Sequence, residues 1–293
     1  FNQALEKDPN YALAYVGIAD CYGVPPMGLS PQEAMPKAKA AAMKALSIDD
    51  TLAEAHTSLA NVLVRYDWDW SGAEREFKRA LVLNPNYPTA HYWYAVYLAV
   101  MGRQEEAIQE AQRAQELDPL SLVANWHVAI IYYYARQYDR EIEQLRKTLE
   151  LDPNFAGAHY DLGLAYAMTG RYDEAAAELQ TAIKLSGEAT DFMADLATVY
   201  ALSGKRGEAQ KIIDQLMGLA KERYVAPYRM AQIYIGLGDR DRAFEWLERG
   251  YRERSFGESV MDLKASPFWD PVRSDPRFVD LLRRMNLGPE VVR

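Results

Sequence analysis

Apolar and small side chains come round in this chain about every 34 residues, and within each round they fall three or four apart. Large apolar residues stand at positions 7 and 11 of the round: Leu59/Leu63, Tyr94/Leu98, Val128/Tyr132, Leu162/Tyr166, Leu196/Tyr200 and Met230/Tyr234. That spacing puts each pair on one face of a helix. Small residues stand at positions 8, 20 and 27, as in Ala95/Ala107/Ala114 and Gly163/Ala175/Ala182. There they let two helices approach closely. Gly102, Gly170, Gly204 and Gly238, near position 15, end the first helix of their rounds. Glycine takes the left-handed conformation just past a helix end at little cost. Asp-Pro pairs such as Asp118-Pro119 and Asp152-Pro153 end the second helix. The pattern predicts an all-α solenoid of stacked hairpins, each too small to bury its own apolar face. A partial repeat at 1–11 is followed by repeats at 12–52, 53–87, 88–121, 122–155, 156–189, 190–223 and 224–257.

Three departures from the period stand out. The first repeat carries an inserted loop, Val24-Pro-Pro-Met-Gly-Leu-Ser-Pro31. Its second helix then opens with Ser30 as N-cap, Pro31 at the first position and Glu33 two further on, which is capping-box spacing. Pro36, just inside, is expected to kink that helix or weaken its first turns. The second repeat is one residue longer and carries Asp67-Trp68-Asp69-Trp70 between its helices, and the sixth lacks the closing Asp-Pro. Beyond Phe256 the period is lost. A proline-punctuated connection at 264–273 leads to a short helix opening at Asp275-Pro276, with Phe278, Leu281, Leu282 and Met285 on one stripe. Residues 258–293 therefore read as a capping segment for the last hairpin. A helix that binds a partner is the alternative. The chain opens inside a hairpin, which reads as a piece of something longer.

The period, the small residues and the glycines resemble those of the tetratricopeptide repeat family, over roughly residues 1–257. The resemblance implies a right-handed superhelix with the first helix of each repeat lining the concave face, through positions 2, 5, 9, 12 and 13. Tyr92, Val96, Trp126, Ile130, Tyr133, Tyr160, Leu164 and Tyr228 then become the candidate partner-binding strip. An exposed apolar and aromatic strip marks a recognition surface, and tyrosine and tryptophan suit an extended or proline-rich peptide. Two competing readings leave no free strip: position 5 is buried against the next repeat, or the terminal helix folds into the groove. The family's carboxylate clamp for chaperone tails finds only Asn61, and its asparagine ladder is missing. The segments at 50–60, 66–70 and 273–278 also resemble repeat regions that follow winged-helix or serine/threonine kinase domains in bacterial proteins. This implies a regulatory role.

Charge and chemistry narrow the function. The net charge is −9 and the sequence pI about 5.1. That argues against a nucleic-acid surface and against a polybasic membrane patch. No stretch approaches the roughly 18 apolar residues of a membrane span. The compartment stays open, with the cytoplasm the first reading and the periplasm the alternative should a membrane span precede the chain. His56, His91 and His159 repeat at position 4 and suggest a ladder of metal ligands. Neighbouring repeats stand roughly 10 Å apart, too far for one zinc with bonds near 2 Å. Position 4 reads instead as packing between helices, and His127 at position 6 falls on another face. Asp49/Asp50 and Glu105/Glu106 read as solvated helix ends. Cys21 reads as a small buried filler. No nucleophile, phosphate-loop or metalloprotease motif is present. The expectation is a non-catalytic module, without metal or cofactor, that binds a protein or peptide partner. Self-assembly through an end hairpin exposing Phe1 and Leu5 is one alternative, and a small-molecule sensor the other.

Overall fold

The computed structural model describes residues 1–23, 29–255 and 259–288. The inserted loop at 24–28 and the point at 256–258 where the period is lost lie outside the described residues. A half-hairpin, α1 (Asn2–Lys7), leads into α2 (Ala12–Gly23) and α3 (Pro31–Ile48), then α4 (Ala53–Val62) and α5 (Trp70–Leu83). The pairs α6 (Pro88–Val100) with α7 (Gln104–Leu117) and α8 (Leu122–Tyr134) with α9 (Tyr138–Leu151) follow. Next come α10 (Ala156–Met168) with α11 (Tyr172–Leu185) and α12 (Thr190–Leu202) with α13 (Arg206–Leu219). The last pair is α14 (Pro227–Gly236) with α15 (Arg240–Arg252). α3, α5, α7, α9 and α11 each pack against their own partner and the next hairpin's first helix, and in the preceding hairpin α14 packs chiefly on α12. Among the described residues there is no strand; the architecture is an all-α, right-handed solenoid.

The expected seams are in place. Ala73, Ala107, Ala175, Ala209 and Ala243 are wholly buried where paired helices meet. Gly102, Gly170, Gly204 and Gly238 take φ of +75° to +80° after their helices. Position-4 histidines tie the two helices of a hairpin together. His56, His91 and His159 place Nδ1 2.5, 2.6 and 2.6 Å from Glu76, Glu110 and Glu178. Their Nε2 atoms face the carbonyls of Asp50, Pro85 and Pro153 at 2.9–3.0 Å. The fourth repeat makes the same clamp from amides, with Asn125 at position 4 bonded to the Gln144 side chain.

Two local expectations are corrected. α3 runs unbroken through Pro36. The bond Pro36 forgoes falls in the opening turns, where the Glu33 carboxylate accepts from the Ser30 N–H (3.0 Å) and hydroxyl (2.7 Å) and holds the end. Cys21 is exposed, since its side of α2 faces away from the seam.

The extra residue of the second repeat is absorbed as a π-helical turn, Leu63–Asp67. A π-turn widens the helix by one residue per turn without breaking it. It leaves Trp68 left-handed, at φ +58°, so that Trp68 and Trp70 both become core residues.

The terminal segment differs most from expectation. The connection at 264–273 is itself largely helical: α16 (Ser259–Ala265) precedes a 3-10 helix, Pro267–Val272, and then α17 (Pro276–Arg284). α17 packs on α15, as a cap does. α16 lies on α6 and the π-turn, and the 3-10 helix lies on α14. The segment thus crosses the inner face of the superhelix, the second of the competing readings above. Leu263, Trp269, Val272, Phe278, Leu281 and Met285 are all buried in one apolar cluster with Trp68, Trp70, Val96 and Tyr228. The Trp70 indole donates to the Met285 carbonyl at 3.0 Å, and Trp68 stacks on Tyr251 at 5.4 Å. Arg254 lies over Trp68 at 4.4 Å and donates to the Tyr66 carbonyl. Second and seventh repeats are therefore joined across the opening, and the superhelix is closed on itself.

Candidate interaction surface

The inner face is built from the first helices of the hairpins, whose positions 5 and 6 point at the neighbouring repeat. Position 5 of one repeat meets position 6 of the next. Tyr92 stacks on His127 at 4.2 Å. The Trp126 indole N–H donates to the Asp161 carboxylate. The Tyr160 hydroxyl donates to Asp195 at 2.5 Å, and Arg229 reaches the same Asp195 oxygen at 2.7 Å. A ladder of ring stacking and side-chain hydrogen bonds thus runs from the third repeat to the seventh. The position-6 residues recur as Trp93, His127, Asp161, Asp195 and Arg229, each 34 residues after the last. That polar period was the sequence signal for these residues. It hides behind the stronger apolar period of the seam, and His127 lies in this ladder, on another face than the position-4 clamps.

Burial sets the charge states along it. Asp161 is pushed up to about 7, mainly because it is desolvated, with the Asp262 charge adding and the Trp126 hydrogen bond opposing. Desolvation likewise raises Asp195 to about 6, with Arg229 opposing most strongly. The tyrosine hydroxyls of Tyr133 and Tyr160 are held well above the usual phenol range by burial. The terminal segment ties in at its own polar points. The Tyr133 and Ser266 hydroxyls lie 2.9 Å apart, and the Tyr134 hydroxyl donates to Asp262 at 2.7 Å. Arg136 holds Asp270 through two hydrogen bonds, at 2.7 and 2.9 Å.

The eight residues of the candidate strip divide into two sets. Val96, Tyr133, Tyr160, Leu164 and Tyr228 are buried, which corrects the expectation that they stand free of the packing. The cause is twofold: position 5 is spent on the next repeat, and residues 262–287 cover the middle of the groove. Tyr92, Trp126 and Ile130 remain half-buried. Around them stand three aromatics the strip omitted, Trp93, Phe155 and Phe192, also half-buried. Trp93 and Trp126 both meet His127 edge-on, at 5.1 and 5.3 Å. Phe155 meets Trp126 edge-on at 5.6 Å, and Phe192 stacks on Tyr160 at 4.3 Å. Gly157 lies under Trp126 and Phe155, where an added Cβ would come within 3.2–3.3 Å of both rings. A ribbon of aromatic edges is what remains at the surface of the inner face. Among the described residues no group of His, Cys, Asp and Glu could hold a metal ion, and no helix is long and apolar enough to cross a membrane.

Helical hairpins stacked into a closed superhelix, with a chemistry of packing and hydrogen bonds, define a repeat protein of the interaction class. Models of the tetratricopeptide repeat match at residues 68–121 and 129–190, at 168–222 and at 228–254, together more than half the chain. The chain belongs to the tetratricopeptide repeat family and is a non-catalytic protein-interaction module. Solved structures share the fold. A tetratricopeptide repeat protein from Parabacteroides merdae matches with TM-score 0.57 at 15% identity, over 87% of this chain and 94% of that one. A thermophilic one from Thermus thermophilus matches with TM-score 0.54 at 22% identity, over 67% of this chain and 99% of that one. The Cut9–Hcn1 hetero-tetramer of the APC/C matches with TM-score 0.61 at 15% identity, over 83% of this chain and 44% of that one. No curated protein matches the chain.

Proposed function

We propose that the module binds a partner peptide in extended form along the uncovered half of its inner face, between the third and sixth repeats. The observation that carries this reading is the ribbon of half-buried rings at Tyr92, Trp93, Trp126, Phe155 and Phe192. Aromatic side chains left at the surface in mutual contact are the usual anchors of a recognition site, because they supply large contact area with few rotatable bonds. An extended chain suits a face made of parallel helix rows one repeat apart. The centre of the groove is filled by residues 262–287, so the partner lies beside that segment rather than beneath it.

The test is affinity capture from host lysate with the native chain, a Trp126→Ala/Phe192→Ala variant and a Val82→Ser variant. Val82 is 72% exposed on α5, away from the ribbon. Circular dichroism establishes that each variant is folded. A partner held by the native and Val82→Ser chains and lost by the double variant supports the reading. Equal capture by all three moves the site off the inner face.

A further inference from the structure

The ladder already binds guanidinium groups at two of its rungs, and both come from this chain. Arg65 lies over the Trp93 ring, 4.4 Å from its centroid, and donates to the Gly23 carbonyl at 2.8 Å. Arg229 lies 4.8 Å from the Tyr228 ring and 6.0 Å from the Tyr160 ring, with Asp195 at 2.7 Å. Each rung offers a cation the same things: the face of a ring, which is electron-rich, and an oxygen acceptor beside it. The rung between them repeats the arrangement. The Trp126 indole is half-buried, Phe155 stands edge-on to it, and the Asp161 carboxylate is held at the indole nitrogen. Among the described residues no arginine or lysine lies over that indole.

The charge around this rung is unbalanced in the same sense. Asp161 feels Asp195 on α12 and Asp262 on α16 as like charges, and Arg229 on α14 as an opposing cation. Glu141 on α9 is coupled to it as well, and the hydroxyls of Tyr134 on α8 and Tyr160 on α10 face the same region. We propose that the Trp126–Phe155–Asp161 rung receives an arginine or lysine side chain of a basic partner peptide laid along the aromatic ribbon. This rests on the ribbon being the partner site. The incoming cation stacks on the indole and pairs with Asp161, and so takes the role Arg65 and Arg229 play at the flanking rungs. Since burial holds Asp161 partly protonated near neutrality, binding releases a proton. Affinity therefore rises with pH across neutrality.

The probe is a fluorescein-labelled peptide alternating arginine with alanine, titrated with the full chain and read by anisotropy at low and physiological salt. A glutamate–alanine peptide is the counterpart. The arginine peptide is expected to bind and the acidic one not. Trp126→Leu is expected to weaken binding by about tenfold, the scale of a partly desolvated cation–π contact. Phe155→Leu provides a second, milder test of the same cage, with a loss of a few-fold, should Trp126→Leu disturb the fold. Asp161→Asn is expected to weaken binding and to flatten its pH dependence between pH 6 and 8. Glu143→Gln/Glu150→Gln, on the outer helix α9, is expected to change nothing beyond a small salt-sensitive loss. Failure of the arginine peptide to bind sinks the proposal, as does an equal loss in the outer-helix variant or an unaltered pH profile in Asp161→Asn. If lysate capture still depends on Trp126 and Phe192 while the arginine peptide fails, the ribbon stands as the site and only the basic character of its partner is wrong.

Discussion

Glu141 stands where five other repeats carry a wholly buried alanine, and it is itself 0% exposed. Neither of its carboxylate oxygens has a hydrogen-bond partner among the described residues. An ionised carboxylate in that position would be costly, so folding favours the protonated form. Burial, with Asp161 adding, raises its pKa well above 4.5. The direction fixes the sign of its pH effect. An acid whose pKa is raised on folding binds its proton more tightly in the native state. Stability from it is full below the unfolded value and declines as pH rises toward the folded one. Asp161, raised to about 7, and Asp195, raised to about 6, act in the same sense above 3.8. Glu141→Gln keeps the shape and removes one titration. Urea midpoints of the two proteins should converge near pH 4 and separate as pH rises to 8, with the variant the more stable. Curves that stay parallel across that range would show that Glu141 ionises in the native state without cost. The His91 clamp carries the same sense. The His91 pKa is raised, chiefly by its Glu110 hydrogen bond working against burial. Stability from that group is full below its unfolded value and falls as pH passes the folded one.

At the scale of the element, two repeats break the glycine rule at position 15, and both breaks serve the terminal segment. Trp68 and Arg136 take φ of +58° where four other repeats have glycine. A non-glycine residue pays about 1–2 kcal/mol for that conformation. Trp68 uses it to reach Tyr251 and Arg254, and Arg136 uses it to hold Asp270. The Arg136–Asp270 pair is nearly half exposed on both sides, so it contributes little on its own, up to about 1 kcal/mol. Comparing Arg136→Gly with Arg136→Ala separates the two effects. Both lose the ion pair, and only glycine relieves the backbone. We expect the glycine variant to be more stable than the alanine variant by about 1 kcal/mol, with amide exchange in the 267–272 turn faster in both. Equal stabilities would mean the left-handed residue carries no strain. The hairpins themselves were legible in the sequence because their signals are local: seam pairs, small residues and terminating glycines within one round. The terminal segment was not. α16 has seven residues and the 3-10 helix six, too few to show an apolar stripe. What buries them is the inner face of repeats more than 100 residues earlier. For the same reason the burial of five residues of the candidate strip was not legible. Whether those positions stay open depends on a closure no local pattern records.

That closure changes how the whole molecule should behave. In an open solenoid each repeat touches only its neighbours, so ends fray and the middle survives. Here the second repeat contacts the segment that caps the seventh. Trp70 reaches Met285 and Trp68 stacks on Tyr251, and from the first repeat the Gln32 amide reaches the Arg252 carbonyl at 3.2 Å. Both apolar clusters of the inner face include residues of the terminal segment. Neither end can loosen without uncovering the other's core. Trp269 is the natural place to break this, since it is wholly buried and stacks on Phe278 at 5.7 Å. Trp269→Ala should cost about 3–5 kcal/mol by cavity formation and lost burial. The more telling expectation concerns where the loss appears. Hydrogen exchange should accelerate in α14, α15 and α17 and equally in α4 and its π-turn, which lie some 200 residues away along the chain. The outer helix α11, which packs chiefly on α10 and α12, should keep its protection. We expect the native chain to unfold in one transition and the variant's transition to broaden or split as the closed ring becomes an open array. If only α14–α17 respond, the contacts between the second and seventh repeats are incidental, and the protein is an ordinary open solenoid with a buried tail. If both ends respond together, the tail is the element that makes seven nearest-neighbour repeats into one cooperative unit. It also confines any partner to the aromatic ribbon it leaves uncovered.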